Sequence, residues 1–600
     1  MNETLSEARA WDLSSLYSGF DDPRFDEDLQ EAKKRAHAFR HDFRGRIAGD
    51  SLSADVLSAS LHAYEDLQKF TLKPYLYAQL LFLGDSTPAA HKALLTKIRE
   101  AWTEIIEKIL FYELELLRID EEFLAEFFKD PEVGKFSHYL QRLRKTAPYI
   151  LSEEVEKVLK RKDLTGKEAF VQLFEELTAS FRFHYQMPNA EEATEVTGEE
   201  LLGLLHHPDR NVRETALTTF LTKYAENSVV LSACFNNLLL DHFKEVDLRG
   251  YPHIMTPTHL ANETEPEIVD KMMEVTEANY GLAREYFALK KELLGLAEMK
   301  NTDIYAPLEQ SSKKYPFDEA EQMVLDAFRG FSSEMANIAE AFFRERRIDA
   351  FPKAGKGGGA FCMGMVPGLA PYVLLNYTGN LRDVATLAHE LGHGVHFSLA
   401  QAQNLFHYDA PLPFAETASV FGEMLLTRYL LDREKDTRVK IELLCGKLED
   451  IIATTFRQNV LTRFELAVHK LRREGLLAPE DYCDIWWQEN AKLFGDAVAM
   501  IEPYRWGWAY ISHFIHSRFY CYSYVLGELL VLSLYQKYQE EGELFVPKYL
   551  DLLAQGGSQP PRKMLEPFGI DLADPDFWQK GYDFVGSLLQ ELRELVKSSQ

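Results

Sequence analysis

His389-Glu390-Leu391-Gly392-His393 sets two histidines four residues apart with an acid beside the first. On a helix this spacing stacks both imidazoles on one face. In that geometry they can take two corners of a zinc tetrahedron. Glu390, off the metal axis, can take a proton from a water held at the metal. A third histidine six residues further on would complete one common version of this H-E-x-x-H pattern, but that position is Leu399. The other common choice is an acid on a following helix. Glu416 and Glu423 lie 23 and 30 residues after His393, and with Ser419 they share one helical face. One acid could ligate while the others orient the histidines. The apolar neighbours Phe414, Ala415, Ala418, Val420 and Phe421 turn that face inward. His396, three residues after His393, would close the site if it were a fourth ligand, so a supporting role is expected for it.

These side chains need a helix, and the sequence supplies its start. Asn380 is a good N-cap, with Asp383 three residues on for a capping box, and Leu387 and Leu391 form an apolar stripe. Three short β-like stretches precede it, at 348–351, 360–365 and 372–376, each bounded by Gly or Pro. They predict a small sheet whose edge strand, near 359–361 or 372–376, pairs with an extended peptide. Gly355-Lys356-Gly357-Gly358-Gly359 lacks the Gly-Lys-Ser/Thr order of a phosphate loop, so a turn near substrate is expected there rather than nucleotide binding. Further on, a continuous helix would set Tyr520 and Tyr524 on the same face as His513, with Tyr522 opposite. A His N–H and a Tyr O–H aimed at one point are suitable oxyanion donors. A break near Ser517 would bring Tyr522 into consideration instead.

The charge excludes other classes. With 66 basic and 94 acidic residues the net charge is −28, which repels nucleic acid and anionic membranes. No eighteen-residue apolar run exists, so no membrane span is expected. The five cysteines are widely spread without zinc-finger or redox spacing. Met1-Asn2-Glu3-Thr4 opens no signal-peptide pattern, and a cytoplasmic protein with reduced thiols is expected. The first 25 residues read as an extended arm, followed by helices to about residue 179. At 180–197 the alternation of Phe181, Phe183 and Tyr185, with a turn at Pro188-Asn189-Ala190, predicts a hairpin. This divides the chain into an N-terminal helical region, 1–197, and a catalytic region, 198–600. Asp303-Ile304-Tyr305-Ala306-Pro307 is a further short strand candidate.

The chain resembles the oligoendopeptidase F branch of the thimet-oligopeptidase-like zinc metallopeptidases. The resemblance is carried by 355–361, Pro371-Tyr372-Val373-Leu374-Leu375-Asn376-Tyr377, the His389–His393 motif, Phe414-Ala415-Glu416-Thr417-Ala418-Ser419, and Ser512-His513-Phe514 with Tyr520, Tyr522 and Tyr524. It implies a mainly α fold, with a small β-sheet beside the motif helix and a gluzincin-type site in a deep channel. By the resemblance His389, His393 and Glu416 bind one Zn2+, Glu390 is the general base, and His513 with Tyr524, then Tyr520, stabilises the oxyanion. Gly358, Gly359, Ala360, Phe361 and Tyr372 are expected along the substrate, and Ser419, Glu423 and His396 behind the ligands. Substrates would be short unstructured peptides. Two other readings remain: a carboxypeptidase or dipeptidyl carboxypeptidase, whose terminal carboxylate would meet one of Arg457, Arg463, Arg505 or Arg518, and a non-catalytic peptide-binding scaffold. A scaffold would have no use for Glu390. Oligomeric state and the metal in the cell are left open.

Overall fold

The computed structural model describes residues 9–48, 52–188, 190–308 and 313–599. The opening tetrapeptide and Asn189 of the expected turn lie outside the described residues. The chain folds into two compact units, each drawn from three segments. The first comprises Met1–Pro148, Lys313–Asp432 and Lys537–Asp571; the second comprises Tyr149–Ser312, Arg433–Gln536 and Leu572–Gln600. Residue 197, the boundary expected from the sequence, falls within the second unit.

In the first unit, the helices Pro23–Phe43, Ala54–Gly84 and Ala89–Leu116 share a core that includes Leu57, Leu61, Tyr64, Ile105 and Tyr112. Residues 9–22 are a series of turns rather than an extended arm. Leu13, Leu16 and Tyr17 pack there with Tyr77 and Tyr372, because burying those side chains outweighs solvation of a straight strand. The chain then returns through α1 (Phe317–Phe331) and α2 (Ser333–Arg344) to a three-stranded sheet. Its strands are β1 (Ile348–Asp349), β2 (Phe361–Met363) and β3 (Tyr372–Leu374). β3 is central, parallel to β1 and antiparallel to β2, with Cys362 opposite Val373. A segment at 372–374 therefore has no free edge for substrate, which corrects one of the two edge placements; β2 has one. Lys356 does not point outward as a phosphate-loop lysine would. Its ammonium is buried on Asp349 Oδ1 at 2.8 Å, which ties the glycine-rich turn down to the sheet.

Two helices follow, α3 (Leu381–Leu399) and α4 (Thr417–Arg433). Asn380 and Asp383 form the expected capping box, and the Asp383 carboxylate also accepts from the N–H groups of Thr378 and Gly379. α3 and α4 cross at backbone contact. A Cβ on Gly392 would lie 2.6 Å from Ser419 Cα and closer still to the Ala418 carbonyl oxygen. Reciprocally, a Cβ on Gly422 would lie 3.1 Å from the Ala388 carbonyl oxygen. From α5 (Phe545–Ala554), Tyr549 donates to the Thr417 carbonyl at 2.8 Å and stacks on Phe421 at 4.3 Å, anchoring the start of α4.

The second unit is also helical. Phe183–Tyr185 pairs antiparallel with Thr194–Val196, Phe183 and Tyr185 pointing inward and His184 outward. The strand expected at 303–307 is not formed, and a 3₁₀ turn at Asn301–Asp303 takes its place. Asp303, fully buried, draws the chain into a turn by binding Arg210 and Arg213, each at 2.7 Å, and the Lys300 N–H at 2.8 Å. Among the described residues, no helix is long and apolar enough to cross a membrane.

The close crossing predicts opposite effects for two helical Gly→Ala changes. Gly392→Ala should destabilise by about 1–3 kcal/mol, because the obstruction is backbone. Gly446→Ala, with open space around the new methyl, should stabilise by about 0.4–1 kcal/mol. Thermal unfolding of the two variants beside wild type checks both signs.

Candidate metal centre

His389 and His393 stand one turn apart on α3, with ring centroids 4.8 Å apart. The Nε2 atoms of His389 and His393 lie 3.3 and 3.4 Å from the same atom, Glu416 Oε2. Ligand atoms about 2.0–2.1 Å from a tetrahedral zinc are separated by about 3.3–3.5 Å. The three donors thus already hold the edges of such a tetrahedron, and among the described residues they form the one His/Cys/Asp/Glu group able to hold a metal ion. Glu416 is not within α4 but immediately precedes it, where its carbonyl accepts the Val420 N–H. Ser419 donates to Glu416 Oε2 at 2.7 Å and so fixes the carboxylate rotamer.

The other acid serves the histidine. Glu423 Oε1 is 2.6 Å from His389 Nδ1. This contact places the proton on Nδ1 and leaves the Nε2 lone pair facing His393 and Glu416, the tautomer a metal requires. Without a cation, burial disfavours the charged imidazole, but Glu423 and then Glu416 and Glu390 push its pKa up to about 9. Burial likewise opposes the Glu416 charge, yet the adjacent His393 and His389 hold its pKa down to about 2.

Glu390 is buried, and burial raises its carboxyl pKa against the opposing effect of the two histidines. The Cys362 backbone N–H on β2 weakly favours the charged form. Glu390, both histidines and Glu416 open on one cavity of about 420 Å³. Ala360 and Phe361 line it, whereas Gly358 and Gly359 do not. Tyr372 is directed away from it: the ring packs on Trp11, and the hydroxyl meets Ser15 Oγ at 3.0 Å and the Asp12 carbonyl at 3.3 Å. His396 also lines the cavity but lies outside the three-donor group; burial lowers its pKa to about 4. Cys362, Tyr408 and Asp409 line the cavity too and were not foreseen. Alternation along the predicted strand could have found Cys362, but nothing in the sequence singled out Asp409.

The second unit holds the other expected group. The helix is indeed broken near Ser517: His513–His516 is a short turn, Ser517 is extended, and Phe519 is left-handed at φ 56°. The buried Glu465 carboxylate accepts the Phe519 N–H at 2.9 Å and steadies that bend. The break does not displace Tyr524, whose hydroxyl is 3.2 Å from His513 Nε2, and Tyr520 stacks on the His513 ring at 5.5 Å. Tyr522 is fully buried, its hydroxyl 2.8 Å from Asn262 Nδ2 and 3.1 Å from His259 Nδ1. Burial, aided by Arg457 and His516, lowers the His513 pKa, so the ring is neutral near pH 7.

Comparison with known proteins identifies the family. Residues 203–584 match the family model "Peptidase family M3", and residues 115–183 match the model "Oligopeptidase F". Oligopeptidase PepF of Bacillus subtilis is 26% identical over 98% of this chain and 88% of its own length. An oligoendopeptidase F homolog of Lactococcus lactis is 26% identical over 99% and 98%. Among solved structures, one from Chlamydophila abortus superposes with a TM-score of 0.86 at 24% identity, covering 98% of each chain. The oligoendopeptidase-F of Enterococcus faecium gives 0.72 at 22% identity, covering 96% of this chain and 99% of its own.

Two outcomes are predicted for metal affinity, measured by competition with a chromogenic chelator. Glu423→Ala should weaken it about 10–100-fold, because His389 loses the partner that fixes its tautomer. Because the metal-free His389 pKa is raised to about 9, binding at neutral pH must expel a proton. Affinity should therefore fall about tenfold per unit as pH drops below that value. A pH-independent affinity between 7 and 9 would contradict the assignment.

Proposed function

The chain belongs to peptidase family M3, in its oligoendopeptidase F branch, and is a metalloendopeptidase; from this premise we propose that it is a zinc-dependent oligoendopeptidase cutting internal bonds of short, unstructured peptides. The observation that carries the reading is the shared contact of two imidazoles with one oxygen of Glu416, beside a buried Glu390.

His389, His393 and Glu416 would hold the zinc, which when bound supplies Lewis-acid polarisation of the scissile carbonyl and lowers the pKa of water. Glu390 accepts a proton from the attacking water and delivers it to the departing amine. Its raised pKa suits that return step, since a strongly acidic carboxylate would bind the proton too weakly to carry it. The Cys362 N–H favours the charged carboxylate, and the edge of β2 left unpaired among the described residues can pair with an extended peptide backbone. The reading assigns the oxyanion to His513 and Tyr524, a mutually oriented neutral imidazole and phenol, with Tyr520 buttressing the imidazole face. It places the catalytic region at 198–600, preceded by the helical region 1–197. The cytoplasm, where such peptides and reduced thiols occur together, is the expected setting.

The test is cleavage of an internally quenched peptide blocked at both ends, with the cut located by mass spectrometry. Wild type should cut internally, and chelation should abolish the cut. Glu390→Gln should lower kcat at least about 100-fold. Activity only on peptides with a free C-terminus would transfer the assignment to an exopeptidase. Tyr524→Phe should lower kcat about 100-fold with little change in KM, the mark of an interaction made in the transition state.

A further inference from the structure

The second unit contains a separate cavity of about 260 Å³. Its polar lining includes Arg457, Tyr305, Tyr504, Tyr510, Asn301 and Thr302. The rest is largely apolar, with Leu205, Leu217, Phe287 and Leu493 among its walls. Arg457 ends a π-helical turn, Ala453–Arg457, that interrupts an otherwise α-helical run between Thr437 and Arg472. Such bulges are uncommon and recur at functional sites, because the inserted residue redirects a side chain.

Arg457 is deep in the unit yet keeps some accessible surface where it lines the cavity. It makes no ion pair among the described residues; its hydrogen bond is to the Tyr510 hydroxyl, at 3.4 Å. The acid on the wall, Glu449, is already committed to Lys290 and to the Tyr286 hydroxyl. The cavity thus keeps one uncompensated guanidinium. A buried charge is normally paired, so this guanidinium asks for an anionic acceptor. The apolar walls ask that the anion carry a hydrocarbon body.

We propose that this cavity is a binding site for a small carboxylate with an apolar body, about the size of one apolar amino acid, its carboxylate on Arg457 and its hydrocarbon part against Leu205, Leu217 and Phe287. A planar guanidinium accepts a carboxylate in a two-point contact that neither chloride nor a neutral amide reproduces. The Tyr305 and Tyr510 hydroxyls supply further donors, while that of Tyr504 is given to Asn490 Oδ1. Arg457 is among the arginines the exopeptidase reading would use, but the test requires neither the metal nor turnover, so its failure is distinguishable from a failure of the peptidase reading.

The test is direct binding to the full-length chain by isothermal titration calorimetry, with 3-phenylpropionate as probe and 3-phenylpropanamide as its neutral counterpart. The acid should bind at least tenfold more tightly than the amide. Arg457→Gln should remove that preference. Tyr510→Phe, which keeps the ring and the charge, should weaken the acid several-fold while leaving the melting temperature unchanged. N-acetyl-leucine and a hexapeptide ending in leucine separate the two sources of such a group: comparable binding of both assigns the site to peptide C-termini, and binding of the first alone assigns it to free acids. Equal affinity for acid and amide would overturn the proposal, as would no binding of the acid at millimolar concentration. A folded Arg457→Gln with unchanged affinity for the acid would do the same.

Discussion

The site depends on how closely α3 and α4 approach. Two imidazoles on one helix and a carboxylate just before another share one point here, where the helix backbones touch. Gly392 permits that contact at Ala418 and Ser419, and Gly422 permits the reciprocal contact at Ala388. Neither glycine is there for an unusual φ; each is there because a methyl would meet a neighbouring helix. Tyr549 holds the α4 start in place through the Thr417 carbonyl. The capping box at Asn380 fixes where α3 begins, and therefore which face its histidines present.

That packing gathers charge as well as ligands. Glu390, Glu416 and Glu423 converge on two histidines, and Glu390 and the histidines are largely buried. Three carboxylates around two imidazoles carry more negative charge than a low-dielectric pocket tolerates unaided. A raised His389 pKa is the response of the metal-free protein; a divalent cation satisfies the same field without the proton. The acids also divide their tasks by geometry. Glu416 faces both Nε2 atoms, Glu423 the opposite nitrogen of His389, and Glu390 the backbone of β2.

What was legible in the sequence follows from the range of each interaction. Helix periodicity, the capping box and the four-residue histidine spacing are local, and they recur in the structure as read. The small sheet was legible from its Gly and Pro boundaries, but its strand order was not, because pairing is non-local; hence two edge placements stood open, and the structure keeps the one near 359–361. Tyr372 was placed along substrate from its position in a motif, while its hydroxyl is engaged by Asp12 and Ser15, more than 350 residues earlier. The expected strand at 303–307 yielded to Asp303, whose arginine partners lie some 90 residues away. The bend at Phe519 depends on Glu465, again distant in sequence, yet Tyr524 still meets His513. Asp409 had no sequence signal, and Arg457 stood out only as one of four arginines open to a carboxylate, since lining a cavity is a property of packing alone.

The central claim is that two nitrogens and one carboxylate oxygen, from His389, His393 and Glu416, bind one metal ion. Zinc K-edge X-ray absorption on the fully loaded protein tests it most directly, because Cys362 and His396 line the same cavity and would each change the scattering shell. The account predicts one zinc per chain, two imidazoles, oxygen in the remaining positions and no sulfur, with one imidazole lost in His393→Ala. A sulfur shell near 2.3 Å, as for a zinc thiolate, or a third imidazole would contradict it.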